Sequence, residues 1–127
     1  MLENDISYII RGCAFNVYNA LGPGLLESAY EAALKYEIDK AGLNVRSQVI
    51  MPMIYQDIKV DVGYRLDLIV KEKVIIELKS VEIISNVHHK QLITYLKLSG
   101  MRLGLLINFN TDNIAKSIYR KVFGMAY

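Results

Sequence analysis

Apolar residues recur at Ile6, Ile9, Ile10, Cys13, Val17 and Leu21, the spacing of one helical face over residues 6–21. Gly22-Pro23-Gly24 ends that helix. The same period resumes at Leu26, Ala29, Tyr30, Ala33, Leu34 and Ile38 and predicts a second helix over about residues 25–41, with Gly42 as a left-handed stop. Glu27 falls in its first turn, where the helix dipole favours a carboxylate. The pattern then becomes β-branched and aromatic. Residues 45–55 and 58–70 predict two strands joined at Gln56-Asp57, and a second hairpin through Lys71-Glu72-Lys73 leads into a strand over residues 74–81. Ser85 or Asn86 caps a third helix that turns Leu92, Ile93, Leu96 and Leu98 inward and closes at Gly100. Residues 103–107 read as a buried strand. Thr111 or Asp112 caps a last helix over residues 114–122, so the order is α, α, β, β, β, α, β, α.

Charges interrupt the most apolar of these strands: Arg65 and Asp67 in one, Glu77 and Lys79 in the next. With the intervening turn centred on Glu72, Asp67 falls opposite Glu77 and Arg65 opposite Lys79, and strand alternation puts all four on one face. Two opposed carboxylates sit about 4.5–5.5 Å apart at Cα and repel, so something positive must compensate them. A divalent ion such as Mg²⁺ or Mn²⁺ would do so, since hard cations take a few carboxylate oxygens and keep several waters. That chemistry points to metal-assisted phosphodiester hydrolysis. The competing arrangement is a lattice of diagonal salt bridges, Asp67 with Lys79 and Arg65 with Glu77, on a solvated face.

Composition narrows the setting. A chain of 127 residues suits one domain over residues 1–127 with one core, and Cys13 alone excludes an intrachain disulfide and a cysteine-rich zinc cluster. The acidic start, Met1-Leu2-Glu3-Asn4-Asp5, is unlike a signal peptide, and no apolar run is long enough to span a bilayer. A cytoplasmic protein without a membrane partner is the expectation. The net charge of +2 is small but unevenly spread: six cations against nine acids over residues 1–70, nine against four over residues 71–127. The second half could therefore present a basic face to a phosphate backbone. His88 and His89 are adjacent, so on a helix they diverge and cannot form a shared i,i+4 metal site.

The segment Gly24-Leu25-Leu26-Glu27-Ser28-Ala29-Tyr30 carries the signature of the GxxExxY proteins, and the chain resembles that group of the PD-(D/E)XK nuclease-like superfamily from about Ile9 to Val122. Arg65-x-Asp67, Glu77-Leu78-Lys79, Val87-His88-x-x-Gln91-Leu92-x-x-Tyr95-Leu96 and Leu105-Leu106-Ile107-Asn108-Phe109 extend the resemblance in order. It implies an α/β (α+β) fold with a restriction-endonuclease-like α-β-β-β-α-β core, a mixed sheet flanked by helices, plus an extra helix at each end. It further implies a metal-dependent nuclease acting on nucleic acid, most simply DNA. By the same resemblance Glu27, Asp67, Glu77 and Lys79 are the catalytic set. Asp67, Glu77 and the Leu78 backbone carbonyl would hold Mg²⁺ or Mn²⁺, with Glu27 completing the shell or helping with a second ion. Tyr30, Arg65, His88, Gln91 and Tyr95 would contact substrate or support the site. Two other readings share this scaffold: a catalytically silent nucleic-acid or protein interaction module, and a structure-selective enzyme like the Holliday-junction resolvases, which work as homodimers.

Overall fold

The computed structural model describes residues 1–124. Its elements are α1 (Glu3–Leu21), α2 (Glu27–Lys40), β1 (Val45–Tyr55), β2 (Ile58–Val70), β3 (Val74–Lys79), α3 (Asn86–Ser99), β4 (Leu103–Asn108), a 3₁₀ turn (Ile114–Lys116) and β5 (Ile118–Val122). The strands form one sheet in the order β1-β2-β3-β4-β5, parallel between β3 and β4 and antiparallel elsewhere. This is a mixed α/β sheet flanked by helices, consistent with the restriction-endonuclease-like architecture that the elements predicted.

Each face of the sheet buries its own core. Ile6, Ile10, Cys13, Ala14 and Val17 of α1 and Tyr30, Leu34 and Ile38 of α2 pack on Leu68, Val70, Val74, Ile76 and Leu78. Leu92 and Leu96 of α3 pack on Val49, Tyr64, Leu66, Ile69, Ile75 and Leu106 from the other side. Covered on both faces, β3 and β4 are nearly continuous apolar runs. Burial pushes the Cys13 thiol pKa up, as expected of a small core side chain.

Two details differ from the sequence pattern, and each has a physical cause. The expected C-terminal helix over residues 114–122 is instead a single 3₁₀ turn followed by β5, which pairs along β4 from Leu103↔Val122 to Ile107↔Ile118. Without β5, the fully buried β4 would leave one edge of its backbone unpaired, a cost that overrides a weak helical period. Ser117, whose Oγ bonds Thr111 Oγ1 at 2.7 Å and the Asn113 carbonyl at 3.1 Å, turns the chain between the two elements. The predicted third strand also stops early, at Lys79 rather than at residue 81. There Asn108 takes over the pairing: its Oδ1 accepts from Val81 N–H at 3.1 Å and its Nδ2 donates to the Val81 carbonyl at 2.9 Å.

Gly104 in β4 lies directly beneath α3. A Cβ built there would come within 2.7 Å of Leu92 Cδ1 and 3.1 Å of its Cγ, and that side chain is fully buried. Gly104→Ala should therefore force α3 off the sheet and cost about 1–3 kcal/mol, lowering the midpoint of thermal or urea unfolding. An unchanged midpoint would mean that the helix rides further from the sheet.

Candidate active site

β2 and β3 pair as the turn predicted, Leu68↔Ile76, Ile69↔Ile75 and Val70↔Val74, and then the ladder ends. The next positions are Asp67 and Glu77, in the register expected but with their strands forked apart. Their side chains fill the fork reciprocally. Asp67 N–H donates to Glu77 Oε2 at 2.8 Å, and Leu78 N–H donates to Asp67 Oδ2 at 2.9 Å. Each carboxylate thus satisfies a backbone donor that the missing rungs would have used, and among the described residues no donor is bonded to Oδ1 or Oε1.

The alternation that would put Arg65, Asp67, Glu77 and Lys79 on one face breaks at this level. Tyr64 and Leu66 pack with α3, whereas Leu68 and Val70 pack with α1 and α2. Across β1 the matching residue is Gln48, which drops out of the register between Ser47↔Leu68 and Val49↔Leu66 and takes a left-handed backbone, φ 51°. The fork and this local twist interrupt the alternation of β2; Arg65, exposed and paired across from Ile50, acts electrostatically on both Glu31 and Tyr95.

Glu77 is 5% exposed. Burial pushes its pKa up to about 8, and the adjacent Asp67 charge pushes the same way; the Asp67 N–H and the Lys79 ammonium pull back and lose. The only ion pair within 4 Å among the described residues is Arg46–Glu72, at the far turn, so the diagonal salt-bridge lattice does not form. Two converging carboxylates with no cation in contact are what a divalent ion would neutralise. No three His, Cys, Asp or Glu side chains are gathered into a cage among the described residues. Two carboxylates and a carbonyl, the rest of the shell being water, fit Mg²⁺ or Mn²⁺ and do not fit a structural zinc site.

The second helix contributes an acid that sequence reasoning missed. Glu31 accepts from Gln48 Nε2 at 2.6 Å, and its pKa is raised by burial and by Asp67, with Arg65 opposing. It also raises that of Glu77. Glu27, one turn earlier, is exposed and makes no hydrogen bond or ion pair among the described residues. The signal was available: Glu31 is four residues after Glu27, on the same helix face.

The remaining candidates divide by what they touch. Tyr30 is fully buried, stacks on Phe109 at 4.5 Å, and its hydroxyl donates to the Gly22 carbonyl at 2.6 Å while accepting from Leu25 N–H at 3.1 Å. It ties down the loop before α2 and does not reach Glu27. Ser80 Oγ donates to the Leu25 carbonyl at 2.6 Å, which joins that loop to the end of β3 beside Lys79. His88 Nδ1 accepts from Ser85 N–H at 3.2 Å, a helix-capping contact. Tyr95 stacks on Tyr64 at 5.1 Å, and burial together with the Glu77 and Asp67 charges raises its pKa. Gln91, one turn before Tyr95 on α3, is half-buried.

The sequence model of the PD-(D/E)XK nuclease superfamily matches residues 4–121. The crystal structure of SSO0001 superposes with a TM-score of 0.57 at 22% identity, over 79% of this chain and 52% of that one. This chain spans about half the length of that protein, and the likeness is one of fold. No curated protein matches the sequence at a significant level.

The raised Glu77 pKa carries a stability consequence. Between about pH 4.5 and 8 the metal-free folded state keeps a proton that the unfolded chain has released, so stability falls as pH rises through this window. Glu77→Gln, which mimics the protonated side chain, should flatten that slope. It should leave stability at pH 5 little changed and raise it at pH 8.5 by on the order of 1–3 kcal/mol in urea unfolding. Parallel pH profiles for the two proteins would show that Glu77 titrates normally.

Proposed function

We propose that this chain, which belongs to the PD-(D/E)XK nuclease superfamily, is a metal-dependent nuclease that hydrolyses phosphodiester bonds in nucleic acid, DNA being the preferred substrate. The observation that carries the reading is the Asp67–Glu77 fork, in which two carboxylates meet with no ion pair to either among the described residues. Asp67, Glu77 and the Leu78 carbonyl would hold the ion. Bound there, Mg²⁺ or Mn²⁺ supplies polarisation of the scissile phosphate and a lowered pKa for a coordinated water.

The chain's own groups do the rest. Lys79 follows the Glu77-Leu78 pair at the end of β3, anchored where its carbonyl accepts from Phe109 N–H at 3.0 Å. In its ammonium form a lysine has only donors to offer, so Lys79 orients the attacking water and binds developing negative charge on the phosphate. Of the two acids on α2, Glu31 is the one electrostatically joined to both Asp67 and Glu77, and it supports the shell from that side. Tyr95 and Gln91 line the α3 side, where they would donate to a phosphate oxygen. The Gly24 to Tyr30 signature further supports a place among the GxxExxY proteins, with Tyr30 acting through the loop that it closes rather than on substrate.

Incubation with single-stranded, double-stranded and branched DNA and with RNA, each with Mg²⁺, Mn²⁺ or chelator, tests the proposal. Cleavage should require the metal, and Asp67→Ala, Glu77→Ala and Lys79→Ala should each lower it on the order of 10²–10⁴-fold. Glu31→Gln should cost more activity than Glu27→Gln. No cleavage of any substrate by folded protein that binds Mn²⁺ through Asp67 would favour the silent interaction scaffold. Undiminished cleavage by the Glu77 and Lys79 variants would overturn the assignment of the site.

A further inference from the structure

The turn after β4 holds polar side chains that the fold does not use. Asp112, a candidate cap for a helix over residues 114–122, caps nothing among the described residues, because a 3₁₀ turn and β5 stand there instead. That turn and the loop from β3 to α3 enclose a cleft of about 420 Å³, a size usual for small-ligand sites.

Register places the cleft beside the fork. Asn108, in its wall, pairs across from Lys79 on the neighbouring strand, and Tyr119 comes from β5 on the far side. Glu77 and Lys79 alternate with Ile76 and Leu78, and Asn108 alternates with Ile107 and Phe109, all four of which pack in the α1–α2 core. Glu77, Lys79 and Asn108 therefore belong to the α3 face of the sheet, where Tyr119 also packs. The cleft begins one strand spacing, roughly 5 Å, from Lys79. A base whose sugar adjoins a phosphate at the fork reaches that far.

The lining decides which ligand fits. Its backbone is fixed: Asn108 Oδ1 accepts from Val81 and Asn110 N–H at 3.1 and 3.2 Å, and Thr111 Oγ1 accepts from Asn113 N–H at 3.1 Å. The side chains of Glu82, Asn110 and Asp112, by contrast, make no hydrogen bond or ion pair among the described residues. Glu82 and Asp112 are the charged groups of the described lining. Both are acids, so a phosphate is repelled. An uncharged base suits the cleft better. Its flat face can lie on Ile83 or on Tyr119, whose ring His89 braces nearly at right angles at 4.9 Å, and its edge meets an amide and a carboxylate. A carboxylate accepts side by side through two oxygens. Guanine alone among the common bases answers with two adjacent donors, N1–H and N2–H₂, on one edge. In adenine and cytosine an acceptor nitrogen flanks the amino group, and thymine sets its one donor between two carbonyls.

We propose that this cleft binds an unpaired guanine adjoining the phosphate to be cleaved, Asp112 accepting from N1–H and N2–H₂ and Asn110 donating to O6. The position of that phosphate rests on the nuclease reading. Because the guanine edge must be free of its pairing partner, the substrate is single-stranded or branched at the cut.

Fluorescence anisotropy in EDTA, where metal-dependent cleavage is silent, compares a seven-nucleotide thymidine strand with one carrying a central guanosine. The guanosine strand should bind about tenfold tighter. Asp112→Asn, at an exposed position, should keep its circular dichroism spectrum and its affinity for the all-thymidine strand while losing that preference. Asp57→Asn, in the β1–β2 turn, should keep the preference. In ¹⁵N-resolved NMR the guanosine strand should shift the amides of residues 110–112 and 119 more than the all-thymidine strand does. Equal affinity for the two strands, a preference that survives in Asp112→Asn, guanosine-dependent shifts confined to other residues, or the same shifts produced by Mg²⁺ alone would overturn the proposal. A protein that cuts nothing yet prefers guanosine through Asp112 would remove the nuclease reading and leave the base cleft, and one that cuts with no such preference would do the reverse.

Discussion

The structure turns on one electrostatic constraint: two carboxylates are held together inside a sheet with no cation in contact with either among the described residues. Hydrogen bonding does not remove the constraint. Each carboxylate spends one oxygen on a backbone N–H of the opposite strand, which fixes its position without neutralising its charge. Burial then makes the Glu77 anion costly enough that a proton is retained near neutrality. On the proposed reading such a site is pre-organised for a ligand that restores the balance, and its oxygen donors would suit a hard divalent ion.

Much of the surrounding structure keeps that fork open and rigid. The two cores pack β3 from opposite faces, so moving its apolar neighbours to relieve the charge would cost buried packing. Asn108 finishes the exit of β3 by hydrogen-bonding both backbone groups of Val81. Tyr30 and Ser80 fasten the loop before α2 to the same end of the sheet, which fixes the start of the helix that brings Glu31 to Gln48. Gln48 holds a left-handed backbone opposite Asp67, a cost of order 1–3 kcal/mol that fits a position where the strands must part. The signature residues around Tyr30 thus act structurally, by placing elements.

The sheet is also uneven along its strands. Where α1, α2 and α3 cover it, charge is confined to the fork; beyond their reach, β1 and β2 continue as an arm with apolar residues on both faces. The same strand pair thus carries the candidate metal site at one level and an uncovered surface at another. The break in alternation at Gln48 and Asp67 separates the two.

Elements whose period is strong and whose ends are chemically marked are legible in the chain before any packing is known. α1, α2 and α3, both hairpin turns and the β2–β3 register follow from apolar spacing, Gly42, Ser85, Gly100 and the position of Glu72, because these are local preferences that tertiary contacts reinforced. The sequence also singled out Asp67, Glu77 and Lys79, since charges inside apolar strands are conspicuous. Tertiary structure alone decided the rest. β5 replaced a helix because the buried edge of β4 needed hydrogen-bond partners, a requirement invisible in residues 114–122 themselves. Glu31 came to the site in place of an exposed Glu27, and the alternation around Arg65 and Asp67 broke, because strand forking and twist depend on how the carboxylates meet across strands of the sheet. Local sequence encodes period and turn chemistry; the meeting of distant backbone groups and charges is settled only when the layers pack.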